Sequence, residues 1–464
     1  MTHRLSRRKF LQAGVLAKPM AWLSASSNQR VLGSNDRVRV GFVGLGLIGK
    51  RHLLDFKAQP DVEIVCVSDV YPPRLAEGVQ AAGGKANAFV DFRKILDRKD
   101  VDAVVLSTPD HWHALGTILA CHAGKDVYVE KPLTHVVREG QWMIDTARYY
   151  GRVVQVGTQQ RSGQQYRKCL ELLRAGHIGD VQSVRISACR NILPGFSSIV
   201  GQQSLGEENW NLWLGPAPFV PFDPRRCLYH FRWFWDYSGG QTTNLLSHDI
   251  DIVQWVTQQF PKTVTAMGGR RTLKGIGETP DLFEAIYEFP GFLLTWSNRE
   301  TASRFLGGVR SGLEFVGTSG TLIVNRSGLE VYPDHVMPAD AQIPRFDETR
   351  HMTQEASTLR TTAFKMDGFE QIRDQFQPHV RNFLDCVKSR QAPVSDLEGG
   401  HRTATSCHLA NIAMKVGQVL HWNSEKEELE GNVEASRLLT KQYRTPWDRE
   451  LQAVLSSAGS PTPS

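Results

Sequence analysis

The sequence predicts an α/β protein in which an N-terminal doubly wound parallel sheet is followed by a C-terminal α+β domain with an open, mostly antiparallel sheet. Up to residue 156, short runs of β-branched residues alternate with helical stretches, which is typical of βαβ units. From Val181 to about Tyr332, β-rich runs follow one another closely, which favours an antiparallel sheet. The predicted parts are therefore a leader and linker at 1–35, a first domain at 36–156, a second domain at 157–445 and a disordered tail at 446–464.

The leader has the pattern of a bacterial export signal with a twin arginine. Arg7 and Arg8 precede a short apolar stretch from Phe10 to Leu23, after which small residues follow. Lys18-Pro19 interrupts this stretch, which is shorter than the ~20 residues of a spanning helix. We expect export to the periplasm by the twin-arginine translocase, with no membrane span. A disordered basic arm and an uncleaved anchor are the alternatives.

The net charge of +6 belongs to the leader rather than to the folded body. Residues 1–30 contain six basic residues and no acidic ones, which leaves 48 basic residues against 48 acidic ones. A neutral body gives no electrostatic reason to expect nucleic acid as a partner. The seven cysteines are scattered without close pairs, so we expect no metal site.

A glycine-rich turn opens the first domain. The apolar run Val38–Val43 leads into Gly44-x-Gly46-x-x-Gly49 and then into helical sequence from Lys50 to Ala58, which is the context of a Rossmann fingerprint. The first glycine permits the tight turn, the second lets backbone amides approach a pyrophosphate, and the third lets the helix pack closely. The cofactor-binding residues predicted in this turn are Gly44, Leu45, Gly46, Leu47, Ile48 and Gly49.

The next strand carries a carboxylate at the position that selects between the two nicotinamide cofactors. Glu63–Ser68 ends in Asp69, twenty residues after Gly49. A carboxylate there binds the ribose hydroxyls and repels a 2′-phosphate, which favours NAD. Arg74 lies nearby and offsets part of that repulsion, so NADP stays as the alternative.

Three further strands complete the parallel sheet, with helices around His113–Ala123 and Glu139–Tyr149. Ligands of such sheets lie beyond the carboxyl ends of the strands. The predicted strands are Ala103–Ser107, Asp126–Val129 and Arg152–Val156, and the residues at their ends include Thr108, His111, Lys131 and Pro132.

Four motifs in this order resemble the glucose–fructose oxidoreductase, inositol dehydrogenase and rhizopine-catabolism (Gfo/Idh/MocA) family, from about Val38 to about Trp422. The motifs are the glycine turn, Thr108-Pro109-Asp110-x-x-His113, Glu130-Lys131-Pro132 and Gly239-Gly240-(x)3-Asn244-(x)3-His248-(x)2-Asp251. The resemblance implies an NAD(P)-dependent oxidoreductase that acts on CH–OH groups of carbohydrates. It adds Thr108, Pro109, His111, His113, Glu130 and Lys131 to the cofactor-binding set.

The resemblance also implies the catalytic residues. Lys131 would lie beside the nicotinamide and the reacting hydroxyl, and the peptide before Pro132 would be cis. His248 would be the general acid/base, with a merely buried histidine as the alternative. The family usually has an aspartate where this chain has Asn244. If that aspartate tunes the histidine or accepts protons in the family, this role is either missing here or performed by Asp249, Asp251 or Asp236.

Two polar and aromatic segments are predicted to form the substrate side. Gln155–Arg161 is rich in amide and guanidinium donors, and Tyr229–Tyr237 places six aromatic residues among charged ones. Such mixtures suit the hydroxyls and C–H faces of sugars. The alternative is that the aromatic residues are core, as we expect of Trp210 and Trp213. The predicted substrate-binding residues are Gln160, Arg161, His230, Arg232, Asp236, Asn244 and His248.

These patterns favour an exported sugar or polyol oxidoreductase that retains its nicotinamide cofactor, because the periplasm offers no obvious free pool. An NAD-dependent glycosidase that acts by oxidation and elimination is the second hypothesis. A non-catalytic sugar or nucleotide binder is the third. The family resemblance further implies a homo-oligomer formed through the C-terminal sheet.

Overall fold

Two sheets, one parallel and one mostly antiparallel, organise the protein, which confirms the predicted fold class. The computed structural model describes residues 37–193, 195, 204–303, 311–336, 358–369 and 373–459. The predicted export signal and linker at 1–35 lie outside the described residues. Within these described ranges, no helix combines the length and the apolar composition needed to cross a bilayer.

The first sheet has six parallel strands in the order β3-β2-β1-β4-β5-β6. Its strands are β1 Val38–Val43, β2 Val62–Ser68, β3 Asn87–Phe89, β4 Ala103–Leu106, β5 Asp126–Glu130 and β6 Val154–Gly157. The strands β4, β5 and β6 are buried throughout, because helices cover both faces of a doubly wound sheet. The strand order reverses between β1 and β4, where such sheets open a crevice for ligands.

Helices connect the parallel strands. They are α1 Leu47–Lys57, α2 Pro72–Ala81, α3 Arg93–Leu96, α4 His113–His122 and α5 Arg138–Tyr149. The short strand β3 and the one-turn helix α3 were not predicted, because three or four residues carry too little periodicity to be recognised.

The second sheet has ten strands in the order β14-β13-β12-β11-β7-β10-β9-β8-β15-β16. The neighbours β7 and β10 are parallel, whereas the other paired strands are antiparallel. The strands are β7 Val181–Cys189, β8 Thr263–Gly269, β9 Leu282–Phe289, β10 Phe292–Arg299, β11 Ser311–Gly317, β12 Gly320–Asn325, β13 Gly328–Pro333, β14 Phe364–Met366, β15 Leu420–Asn423 and β16 Glu428–Leu429.

One face of the second sheet is buried against helices and the other is exposed. Along β9, exposed and buried residues alternate strictly, so Phe283, Tyr287 and Phe289 point to the core. The remaining helices are α6 Gln164–Arg174, α7 Glu207–Leu214, α8 Ser247–Thr257, α9 Arg373–Ser389, α10 Leu397–Val416, α11 Val433–Arg437 and α12 Trp447–Ala458. Residues of α8 and α10 complete this core.

The predicted disordered tail at 446–464 is wrong for Trp447–Ala458, which forms α12. Its apolar residues Trp447, Leu451 and Leu455 recur at helical spacing and are buried in the core of the first domain. Tail residues 460–464 lie outside the described residues. The short strand β14 pairs with β13 at one edge of the second sheet.

Candidate active site

A cavity of about 490 Å³ lies beyond the carboxyl ends of the parallel strands. Its lining joins the glycine turn of the first domain to residues of the second domain. The predicted site residues that line it are Gly44, Gly46, Leu47, Ile48, Asp69, Thr108, Pro109, His113, Glu130, Lys131, Arg232, Asn244 and His248. The structure therefore brings most of the predicted catalytic and cofactor-binding residues to one place.

The glycine turn forms a cradle at one end of this cavity. Gly44 has a φ of +85°, and a Cβ there would lie 2.7 Å from the carbonyl oxygen of Ser107. A Cβ on Gly49 would lie 2.0 Å from the carbonyl oxygen of Gly44. Helix α1 begins directly after Gly46, and no side chain caps its first turn. The free N–H groups and the positive end of the helix dipole suit a pyrophosphate.

Asp69 extends the cradle at the end of β2. Its carboxylate accepts hydrogen bonds from the backbone N–H groups of Leu45 and Tyr71, each at 2.8 Å. Burial raises the pKa of Asp69, although these two N–H groups oppose the shift. The side chain of Leu45 packs in the core, so this predicted residue contributes its backbone rather than its side chain.

Arg74 lines the cavity beside Asp69, and its Nη1 would lie 3.5 Å from a Cβ placed on Gly46. The guanidinium thus lies over the turn that suits phosphates. Cradle, helix start and carboxylate together fit a dinucleotide, with the pyrophosphate at the turn and a ribose at Asp69.

His113 clamps the two loops that carry the reacting end of the site. Its Nδ1 lies 2.7 Å from the carbonyl oxygen of Pro132, and its Nε2 lies 2.9 Å from that of Thr108. The peptide bond between Lys131 and Pro132 is cis, as the resemblance implies. One imidazole therefore ties the end of β4 to the end of β5.

Glu130 supports Lys131 from inside the fold. Its Oε1 accepts hydrogen bonds from His52 Nε2 and Gln159 Nε2, both at 2.6 Å. Burial acts to raise the pKa of Glu130, but the hydrogen bonds and the neighbouring positive charges outweigh it, and the pKa is lowered. Glu130 thus stays ionised next to the lysine.

Lys131 is half-buried, and hydrogen bonds hold its amine at one point of the cavity. Its Nζ donates to the backbone oxygen of Asn244 at 2.6 Å and to the side-chain Oδ1 of the same residue at 3.0 Å. Burial lowers the pKa of Lys131 to about 8, and the positive charges of Arg232 and Arg326 act in the same direction. An amine with this pKa exchanges its proton near neutral pH.

His248 lines the same cavity near the start of α8. Burial, together with the charges of Lys131 and Arg326, lowers the pKa of His248 well below its ordinary value. Its buried Nδ1 has no hydrogen-bond partner among the described residues. A neutral imidazole with an unpartnered nitrogen beside Lys131 suits a proton acceptor.

Asn244 lies on a π-helical turn, Thr242–Leu246, directly before α8. Its Nδ2 donates to Gln241 Oε1 at 2.9 Å, which fixes the amide oxygen toward Lys131. Because an amide oxygen carries no full charge, it orients the ammonium without supplying the counter-charge of an aspartate.

The three aspartates considered as substitutes do not replace that counter-charge. Asp251 binds Arg161, Asp236 binds Arg226, and Asp249 accepts from Gln160 at 3.0 Å. None of the three lines the cavity.

His111 and Arg161 are corrections to the predicted site. His111 is fully buried, donates to the backbone oxygen of Trp213 at 3.0 Å, and lies outside the cavity lining. Burial lowers the pKa of His111 to about 3. Arg161 forms a two-pronged ion pair with Asp251 at 2.8 and 2.7 Å, because a buried guanidinium needs a carboxylate.

Three further residues that were predicted to bind substrate do not line the cavity. Gln160 bonds to Tyr166 and Asp249, Asp236 pairs with Arg226 at 3.0 Å, and His230 lies outside the lining. The predicted aromatic segment is divided between two roles. Its Trp233, Phe234 and Tyr237 are buried, whereas Tyr229, Phe231 and Arg232 line the cavity.

Four residues line the cavity although the sequence did not predict them as site residues: Arg326, Asp110, Phe376 and Trp447. Arg326 lies in the turn between β12 and β13, in a segment without any motif. Asp110 belongs to the Thr-Pro-Asp motif and accepts a hydrogen bond from Ser238 at 2.5 Å. Its position inside a recognised motif was the one available signal.

Trp210 and Trp213 are core residues, as predicted, and their rings stack at 4.9 Å. Trp213 also reaches the cavity lining.

Comparisons with known proteins agree with this geometry. The sequence model of the Gfo/Idh/MocA oxidoreductase family, NAD-binding Rossmann fold, matches residues 38–158. The model of the family's C-terminal alpha/beta domain matches residues 190–287 and 359–449.

Among curated proteins, inositol 2-dehydrogenase 3 of Saccharopolyspora erythraea is 35% identical over 385 residues, which cover 82% of this chain and 95% of that protein. A glycosyl hydrolase family 109 protein of Shewanella pealeana is 30% identical over 206 residues, which cover 38% of this chain and 44% of that protein.

Among solved structures, levoglucosan dehydrogenase in complex with NADH and levoglucosan superposes with a TM-score of 0.63 at 20% identity. The superposition covers 83% of this chain and 99% of that one, and it shows a common fold. The chain therefore belongs to the Gfo/Idh/MocA oxidoreductase family, and the dinucleotide that its cradle holds is NAD.

Proposed function

We propose that the protein is an exported oxidoreductase that transfers a hydride between a sugar, glycoside or polyol hydroxyl and a tightly bound NAD. The observation that carries this proposal is the meeting of Lys131 and His248 in one cavity beside the dinucleotide cradle. The inositol 2-dehydrogenase relative supports a polyol or sugar as substrate class.

Each residue has a defined task in this proposal. His248, neutral and with an Nδ1 that has no hydrogen-bond partner in the described part of the chain, accepts the proton of the substrate hydroxyl. Lys131 donates a hydrogen bond to the same oxygen and holds it in place, while Asn244 orients the ammonium. NAD bound in the cradle supplies the hydride acceptor. Asp69 would hold its ribose.

Export of a folded protein would explain why the cofactor is retained. The twin arginine of Arg7 and Arg8 supports passage through the twin-arginine translocase after NAD has been bound in the cytoplasm. The test is mass spectrometry of nucleotide released by denaturing the purified, undialysed protein. We expect about one NAD or NADH per chain, and a nucleotide-free protein would contradict retention.

Variants at the two central residues test the catalytic assignment. We expect Lys131→Ala and His248→Ala each to reduce turnover by ~10²–10⁴-fold, the usual contribution of acid/base groups. Arg148→Gln, on an exposed residue of α5, is the matched control and should leave turnover unchanged. Activity within about tenfold of wild type in both site variants would favour a non-catalytic binder.

A glycosidase is the second candidate, because one curated relative is named a glycosyl hydrolase family 109 protein. Oxidation of a ring hydroxyl acidifies the neighbouring C–H, and loss of that proton expels the glycosidic substituent. Addition of water and return of the hydride then restore the starting cofactor. Release of an aglycone without net NADH would support the glycosidase, whereas stoichiometric NADH would support the dehydrogenase.

The exposed face of the second sheet supports assembly with a second copy. Met267, Leu282, Ile286 and Leu293 lie on this face with 80%, 40%, 49% and 51% of their surface exposed. Burying such apolar side chains favours association. Light scattering after gel filtration should give at least a dimer, and a monomer at micromolar concentration would contradict this proposal.

A further inference from the structure

Three cationic side chains line the substrate end of the cavity. Lys131 comes from the end of β5, Arg232 from the 3₁₀ turn His230–Trp233, and Arg326 from the β12–β13 turn. These residues are far apart in sequence, and the two sheets bring them together.

Lys131 lies close to both guanidinium groups in this lining. The charges of both Arg232 and Arg326 act to lower the pKa of Lys131. The charge of Arg326 also acts to lower the pKa of His248, and the charge of Arg232 acts to lower the pKa of Asp110.

Neither guanidinium has a carboxylate partner in the part of the chain that the structure describes. Arg232 donates one hydrogen bond, to the backbone oxygen of Tyr229 at 3.1 Å, and lies over the rings of Tyr229 and Phe231. Arg326 makes no side-chain hydrogen bond or ion pair with a described residue. Arg161, in contrast, has a carboxylate partner, because it donates two hydrogen bonds to Asp251.

The nearest carboxyl groups do not balance these charges. Glu130 is already committed to His52 and Gln159. Asp110 accepts a hydrogen bond from Ser238, and Asp249 accepts one from Gln160. Among the described residues, neither carboxyl group forms an ion pair with Arg232 or Arg326, so both guanidinium groups lack a paired carboxylate.

A ligand with its own negative charge would complete this arrangement. A guanidinium binds a carboxylate or phosphate with short, charge-assisted hydrogen bonds, often in pairs. A neutral sugar would offer hydroxyl acceptors but would leave two partly buried cations without counter-charge, which is unfavourable. The two unpaired guanidinium groups therefore favour a ligand that carries a negative charge in addition to its hydroxyl groups.

We propose that the physiological substrate is a sugar that carries an anionic group, a carboxylate or a phosphate, which binds to Arg232 and Arg326 while a ring hydroxyl lies between Lys131 and His248. This inference rests on the proposed function for the reacting hydroxyl. Its anion-binding part stands on the cation cluster alone.

The experiment compares matched sugars on the NADH-loaded protein. Calorimetry measures the Kd of D-glucose, D-glucuronate and D-glucose 6-phosphate, and of the corresponding galactose series, at low and at physiological ionic strength. We expect one acidic series to bind at least tenfold more tightly than its neutral parent, with affinity that falls as salt rises. The carboxylate and phosphate series distinguish the two sources of charge. Equal affinity for neutral and acidic sugars would overturn the inference.

Variants then test the residues. Arg326→Gln should weaken binding of the preferred acidic sugar by ~10–100-fold, the scale of a lost charge-assisted hydrogen bond, and should change binding of the neutral parent by less than about threefold. Arg326→Lys should restore part of the loss. Arg148→Gln, on an exposed residue of α5, should change neither affinity. Equal weakening of neutral and acidic sugars by Arg326→Gln would also overturn the inference.

The binding readout separates this inference from the proposed function. If NADH forms from neutral sugars and acidic sugars show no preference, hydride transfer stands and the anionic substrate is refuted. If no sugar is oxidised but acidic sugars bind selectively and lose affinity in Arg326→Gln, the anion site stands and the proposed reaction is refuted.

Discussion

Replacing Asn244 by aspartate should move the alkaline limit of activity upward. The proposed reaction needs Lys131 as an ammonium that donates to the substrate oxygen, so activity should fall as pH rises through the lysine pKa, about 8. Asn244→Asp would place a carboxylate oxygen where Oδ1 now lies, 3.0 Å from Nζ. Opposite charge favours the ammonium and therefore raises the pKa.

The size of the shift follows from this distance. At 3.0 Å, two unit charges attract by about 5.5 kcal/mol at an effective dielectric constant of about 20, which corresponds to about 4 pKa units. Desolvation of the new carboxylate offsets part of this attraction, and observed shifts for close opposite charges are ~1–3 units. We therefore expect the pKa of Lys131 to rise to between about 9 and about 11.

The surrounding structure can accept the change. Gln241 now accepts from Asn244 through Oε1, while its Nε2 is buried without a hydrogen-bond partner among the described residues. A flip of the Gln241 amide would turn that donor toward the new carboxylate. The substitution therefore needs no larger rearrangement.

The assay is the pH dependence of kcat/KM between pH 6 and about pH 11, with the pH-dependent chemical labelling of Lys131 as a second readout that needs no turnover. Asn244→Ala is the control, because it removes Oδ1, adds no charge and keeps the backbone acceptor. Its alkaline limit should not rise. An alkaline limit for Asn244→Asp within ~0.3 units of wild type, in protein that still binds NADH, would refute the assigned role of the ammonium.

Three other substitutions test separate parts of the structure. His248→Asn should lower kcat by ~10²–10⁴-fold and leave NADH affinity, measured by fluorescence, unchanged; a loss of affinity instead would make it a cofactor residue. Gly44→Ala should abolish NADH binding and lower the melting temperature, since a Cβ would meet Ser107 O at 2.7 Å and φ is +85°; wild-type affinity would show that the turn is not the cradle. Arg161→Met should lower the free energy of unfolding by about 3–5 kcal/mol in denaturant titrations, because Asp251 is left buried and unpaired, with KM unchanged. A raised KM at wild-type stability would instead place Arg161 at the substrate.

Local patterns made the first domain predictable. The strand, the glycine turn and the helix between Val38 and Lys57 are adjacent in sequence, and steric requirements at Gly44 and Gly49 admit few alternatives. The alternation in β9 likewise indicated a sheet with one buried face. Helix α12 was not predicted, because the serine- and proline-rich residues at the end of the chain are typical of a disordered tail. The helix itself has few apolar residues at helical spacing, among them Trp447, Leu451 and Leu455.

The substrate side was predicted less well because its geometry depends on distant contacts. His111 and His113 are two residues apart in one motif, and the 3₁₀ turn Asp110–Trp112 directs only the second toward the cavity. Arg161 and Arg232 are equally polar in sequence, but Asp251 pairs with the first. Nothing near Arg326 in the sequence shows that it faces Lys131.

The last helix has a consequence for the order in which the protein is made. Trp447 of α12 lies 4.9 Å from Trp112 and lines the cavity, while Phe383 of α9 packs against Phe56 in the nucleotide domain. A ribosome that has just released the parallel sheet has therefore produced the cradle without these walls. Because domains otherwise fold from the N-terminus during synthesis, the lining of the NAD site becomes complete only after Trp447 has been synthesised.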